Sequence, residues 1–163
     1  MRPEPDEYPQ KVNNVDSIKS FDYSSFVDAN RDHAVTGIDY VRAIYVNHEL
    51  ASDFIVWFAR FLWPSFNILN DKVFVAELFD PEMFERHLSL SKSLDETQFW
   101  MNLLEITGVF DELPSEQAME VALIVSESWN AKIVKEFGVE YAVARHFCDE
   151  ETGEVCVTIG SRS

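Results

Sequence analysis

Four histidines and two cysteines are few enough for each setting to be weighed as chemistry. His48-Glu49-Leu50-Ala51-Ser52 begins like the zinc-protease pattern, in which two imidazoles one helical turn apart hold the metal and the Glu serves as base. Ser52 stands where the second imidazole is needed, and an open zinc site draws three protein ligands, so His48 reads as a surface or cap residue. His146, Cys148 and Cys156 form the other candidate ligand set. His146 and Cys148 are two apart on a β-rich run, and a hairpin could bring Cys156 opposite Cys148 to make a soft-metal or redox site. That set is one ligand short of a structural zinc site and lacks the two-residue spacing of a thiol redox motif, so two inert thiols lining a sheet is the preferred reading.

Other reaction chemistry lacks a motif. The five glycines, at 37, 108, 138, 153 and 160, never cluster as a phosphate cradle requires. No Gly-x-Ser-x-Gly elbow occurs, and the alternating acids of a calcium loop are not in order. A hydrolase assembled from dispersed residues, with His146 or His48 beside carboxylates, is the alternative to a non-catalytic protein. No metal and no cofactor are expected.

Charge is the positive clue. Thirteen Lys and Arg stand against 29 Asp and Glu, a formal net charge of -16, which repels phosphate backbones and makes nucleic acid a poor ligand. No basic residue falls between Lys92 and Lys132, a stretch that holds Asp95, Glu96, Glu105, Asp111, Glu112, Glu116, Glu120 and Glu127. Asp149, Glu150, Glu151 and Glu154 add a second acidic run at an expected hairpin tip. Such a field steers a basic protein partner and raises its encounter rate. These twelve carboxylates are therefore the expected partner-binding surface. The function expected is that of an acidic protein-binding module covering a basic surface, as an inhibitor, antitoxin or immunity protein against a nuclease-like toxin would. A homo-oligomeric structural subunit is a third reading.

The elements that must hold these residues can be read in turn. Pro3, Pro5 and Pro9 lie in a polar stretch, so residues 1–15 are expected to be a flexible tail before one globular domain over 16–163. Ile38, Val41, Ile44 and Tyr45 have helical spacing, and Asn47 is a candidate cap for a second helix carrying Leu50, Phe54, Trp57, Phe58 and Phe61. The aromatic run FIVWFARFLWPSF could stack bases or hold an apolar ligand, but with only Arg60 inside it, it reads as core.

Asn70-Asp71 suits a tight hairpin turn between strands near 65–69 and 72–78. Asp80-Pro81 starts a short helix, and Ser93 with Glu96 has capping-box spacing for a helix whose stripe runs through Ile106 to Gly108. Met119, Ala122, Val125, Trp129, Ile133 and Phe137 mark a long helix between Pro114 and Gly138. VEYAVARHF and VCVTIG flank a polar turn as a second hairpin. Helices and hairpins in this order predict an α+β domain, with helices on one face of a small antiparallel sheet built from the two hairpins. A mainly α bundle with peripheral hairpins is the alternative.

The two cysteines and the acidic, Pro-rich start MRPEPDEYPQ predict a reducing cytoplasmic setting without an export signal. Asp53, Arg60 and Pro64 interrupt the most apolar stretch, so no membrane partner is expected.

Overall fold

The computed structural model describes residues 22–162. The expected tail over 1–15 lies outside the described residues. The chain divides into two compact units, one ending at Ala51 and one beginning at Ser52.

The described part of the first unit is a pair of helices, α1 (Tyr23–Ala29) and α2 (Gly37–Asn47). Asp22 caps α1 by accepting from the Ser25 amide, at 2.7 Å. Thr36 and Asp39 form a reciprocal capping box on α2, satisfying two of the amides that a helix start leaves bare. Tyr40 packs its ring edge-on to Tyr23 and tilted against Phe26, which is buried.

The second unit carries α3 (Ser52–Leu62), the hairpin β1 (Phe66–Leu69) and β2 (Lys72–Val75), then α4 (Pro81–Leu90) and α5 (Leu94–Met101). After these come β3 (Leu104–Glu105), α6 (Ile106–Val109), α7 (Ser115–Phe137), β4 (Val143–Cys148) and β5 (Val155–Gly160). The α+β class expected from the sequence is the class observed. The two hairpins, however, do not merge: β1 and β2 make one antiparallel sheet, and a second has the order β3-β5-β4. Nor are helices confined to one face of the second sheet. Val155, Val157 and Ile159 of β5 join the core with Ala118, Ala122, Val125, Trp129 and Ile133 of α7. On the opposite face Thr158 donates to the Phe99 carbonyl of α5 at 2.6 Å, and Phe147 stacks on Phe99. Covered on both faces, residues 155–159 are all buried, as the continuous β-branched run VCVTI requires.

Local signals set most boundaries. Asn70 and Asp71 both take positive φ, 51° and 61°, the two-residue turn that matches strand twist. Asp80 accepts from the Met83 amide at 2.8 Å with Pro81 in the first turn of α4. Gly138, at φ 98°, ends α7 where a side chain would be strained. Three expectations need correction. The strand expected over 72–78 ends at Val75, where the chain turns toward α4. Asn47 caps nothing; it is the last residue of α2, and the next helix starts at Ser52, after Glu49 turns the chain with φ 48°. The stripe from Phe99 to Gly108 is not one helix, because Asn102 stops α5 and Leu104 and Glu105 pair with Val157 and Cys156 of β5.

Asn102 also shows why α5 ends there. Its Oδ1 accepts from the Val75 amide at 2.8 Å, and its Nδ2 donates to the carbonyls of Val73 at 2.9 Å and Gln98 at 3.0 Å. Gln98 Nε2 adds a bond to the Val73 carbonyl at 3.1 Å. Two buried side-chain amides thus satisfy β2 backbone groups turned away from β1, each of which would cost about 1–3 kcal/mol if left bare.

Candidate functional site

The first half of the aromatic run is not core, although Phe61, Leu62 and Phe66 pack against the core. Every residue from Ser52 to Arg60 is exposed, and α3 has no buried residue. Phe54, Ile55, Val56, Trp57 and Phe58 all present between 41% and 57% of their surface. The C-terminal turn alone is anchored: Trp129 Nε1 donates to the Phe61 carbonyl at 3.0 Å, and Lys132 Nζ donates to the Pro64 carbonyl. The same ammonium lies 5.8 Å from the centres of the Trp63 and Phe66 rings. A helix apolar round most of its circumference must be enclosed on every side or left as a surface for something else. That excess, in the first turns of α3, was the sequence signal for the site.

Between α3 and α7 runs a groove of about 340 Å³. Phe58, Phe61 and Leu62 form one wall, Phe110 and Leu113 the end, and Val121 and Ile124 the other wall. Phe54, Phe58 and Phe61 stack in sequence at 6.0 and 5.9 Å, and Phe61 meets Phe110 edge-on at 5.6 Å. No charged or polar side chain lines it.

Carboxylates border this groove. Glu120 and Glu127 sit four residues before and three after Ile124 on α7, and so lie beside it on the helix surface. Glu116 is one turn from Glu120 on the same outer stripe. Asp111 and Glu112 lie in the chain between the lining residues Phe110 and Leu113, both exposed. Asp111 Oδ1 accepts from the Glu112 amide at 3.0 Å, and Glu112 takes φ 64°, which fixes this tight corner.

The remaining expected partner-binding acids lie elsewhere. Asp95 pairs with Lys72 Nζ at 2.5 Å and accepts from the Ser161 hydroxyl; those two bonds hold its carboxyl below the usual carboxylate range. Glu96 accepts from the Lys92 amide at 2.8 Å instead of closing a reciprocal box with Ser93. At the other end of β5, about 20 Å away at ~3.3 Å per residue, are Glu105, Asp149, Glu150, Glu151 and Glu154. There, burial pushes the Cys156 thiol up, with the carboxylates of Glu105, Glu154 and Asp149 adding to it. Asp149 Oδ1 also accepts from the amides of Glu151 and Thr152 at 2.8 and 3.2 Å, a turn-forming role. The twelve carboxylates therefore fall into three groups, of which one borders the groove.

The histidine and cysteine readings resolve on geometry. In the β4–β5 ladder Cys148 faces Val155 and Cys156 faces Phe147, so the two thiols point to opposite sides of the sheet. Cys148 is exposed and Cys156 buried. Among the described residues no group of three or more His, Cys, Asp or Glu is placed to hold a metal ion. His48 follows the end of α2 and precedes α3, so it shares no helix face with residue 52.

His146 Nδ1 lies 2.9 Å from Ser126 Oγ, a pairing that in other settings activates a nucleophile. Here Ser126 is 3% exposed and its hydroxyl donates to the Leu123 carbonyl at 2.9 Å. With that proton committed, Nδ1 is the donor to Oγ, the reverse of the polarity a general base needs. The pair ties α7 to β4, as does Asn130, which donates to the Ala144 carbonyl and accepts from the Ala144 amide at 2.8 and 2.7 Å.

No helix among the described residues is long and apolar enough to cross a membrane. Comparison with protein-family models, with curated proteins and with solved structures gives no match to this chain.

Proposed function

We propose that this protein is a non-catalytic binding module whose groove between α3 and α7 receives an amphipathic helical segment of a basic partner protein. The observation that carries this is the pairing of a wholly apolar groove with a carboxylate border and no Lys or Arg among its lining residues. Helix-in-groove recognition uses apolar anchors about one turn apart, and basic residues flanking those anchors would meet Asp111, Glu116, Glu120 and Glu127. The net charge of -16 adds long-range attraction for such a partner and repulsion between two copies of this chain. An inhibitor, antitoxin or immunity role against a nuclease-like toxin is the finer form of this proposal, since such a target offers a basic surface to be covered.

The test uses a labelled model helix with Leu at i, i+4 and i+7 and Lys elsewhere, beside a counterpart carrying Glu in place of Lys. The Lys helix should bind saturably, with association that slows as salt rises; the Glu helix should bind at least about tenfold more weakly. Combining Glu116→Lys, Glu120→Lys and Glu127→Lys should slow association by roughly tenfold and flatten its salt dependence. Equal binding of both helices, binding of neither, unchanged on-rates in the variant, or occupation of the groove by a second copy of the chain would each overturn the proposal.

A further inference from the structure

A smaller cavity opens on another side of α3, independent of the groove reading. It measures about 170 Å³, and its floor is made by the buried side chains of Val75, Leu104 and Trp129. Trp129 presents its ring there, because its N–H is already bonded to the Phe61 carbonyl. An apolar cavity of ~150 Å³ accommodates a benzene-sized group, so the space fits one aliphatic or aromatic side chain.

Two opposite charges also line this cavity, and they are not joined to each other. Arg60 lies over the Trp57 ring, 5.0 Å from its centre, and among the described residues no carboxylate pairs with it. Glu77 is held by the Ser65 amide, which donates to its two oxygens at 3.0 and 2.9 Å. An ionised carboxylate has about four lone-pair sites, so Glu77 keeps capacity for a further donor. What distinguishes Arg60 is its place at the rim of an apolar cavity, where its guanidinium has donors to offer an anionic group.

We propose that this cavity binds a free apolar α-amino acid of leucine to phenylalanine size. The side chain enters between Trp57, Leu78 and Trp129, the α-carboxylate pairs with Arg60, and the α-ammonium donates to Glu77. A ligand bearing one charge leaves either Arg60 or Glu77 without an oppositely charged partner, which makes the site selective for the zwitterion.

The proposal is tested by titrating the ¹⁵N-labelled protein with L-leucine or L-phenylalanine and following the Trp129 indole N–H. The comparison ligands are 4-methylpentanoate, which lacks the amine, and 3-methylbutylamine, which lacks the carboxylate. At least one amino acid should shift the Trp129 signal saturably, and each truncated analogue should bind about tenfold more weakly or worse. Arg60→Ala, on an exposed helix position, should remove the advantage of leucine over the amine, with Arg60→Lys restoring part of it. No saturable shift with either amino acid up to roughly 10 mM overturns the proposal, as does equal affinity for the analogues or undiminished leucine binding by Arg60→Ala.

Discussion

α3 is the more densely apolar of the two helices α3 and α7, yet α7 buries Ala118, Ala122, Val125, Trp129 and Ile133 while no residue of α3 is buried. The difference lies in what each helix is given to pack against. α7 lies on β4 and β5, whose Val155, Val157 and Ile159 meet it along its length, and Asn130 and Ser126 fasten it to β4 with side-chain hydrogen bonds. α3 is fastened at its C-terminal turn and otherwise faces outward. Periodicity in a sequence marks which side of a helix is apolar; the existence of a cover is decided by distant parts of the chain.

The contrast can be broken most directly with one residue type. Ile133→Ala, at a fully buried position, should lower unfolding free energy by about 2–5 kcal/mol, because a cavity is left that the sheet cannot collapse to fill. Urea unfolding measures this, and a loss near zero would mean that the α7–sheet core is loosely packed.

A middle-sized effect should come from acid. Asp95 has a folded-state pKa below its ordinary value, through Lys72 first and Ser161 second, so its stabilising effect is complete above the ordinary carboxylate range. It is lost as pH falls through the lowered value. Wild type should therefore exceed Asp95→Asn in urea midpoint at pH 7, and the gap should close below about pH 4. A gap that is constant from neutral to strongly acid pH would refute this linkage.

The smallest effect should be at Ile55, which is 42% exposed on α3. Ile55→Ala removes the same atoms as Ile133→Ala but should cost only about 0.5 kcal/mol. A cost comparable to that of Ile133→Ala would show that α3 is covered after all.

Features whose cause is local were legible in the sequence. Asn70-Asp71, Asp80-Pro81 and Gly138 each act through their own backbone preferences, and the hairpin and helix boundaries fall where those preferences put them. The two-residue strand β3 was not legible, since Leu104 and Glu105 become strand only by pairing with β5, some fifty residues later. Nor was the role of Asn102, a helix-ending residue whose partners Val73 and Val75 lie in the β1–β2 hairpin. The candidate groove was half legible: the carboxylates of α7 were picked out by charge, whereas the α3 wall was assigned to the interior and Val121 and Ile124 were not singled out. Asp95 and the β4–β5 turn acids share a sequence pattern with the groove carboxylates but are carried to opposite ends of β5 by the fold.

The central position of β5 bears on how the molecule can be made. Both β3 and β4 hydrogen-bond to it and not to each other, so neither has a sheet partner until residues 155–160 have been synthesised. During translation α7 would emerge with its apolar face bare, exposed to chaperones or to neighbouring nascent chains. The β3–β5 pairing spans about fifty residues, so the barrier to forming this sheet is largely one of loop closure, and the sheet is completed only when β5 is in place.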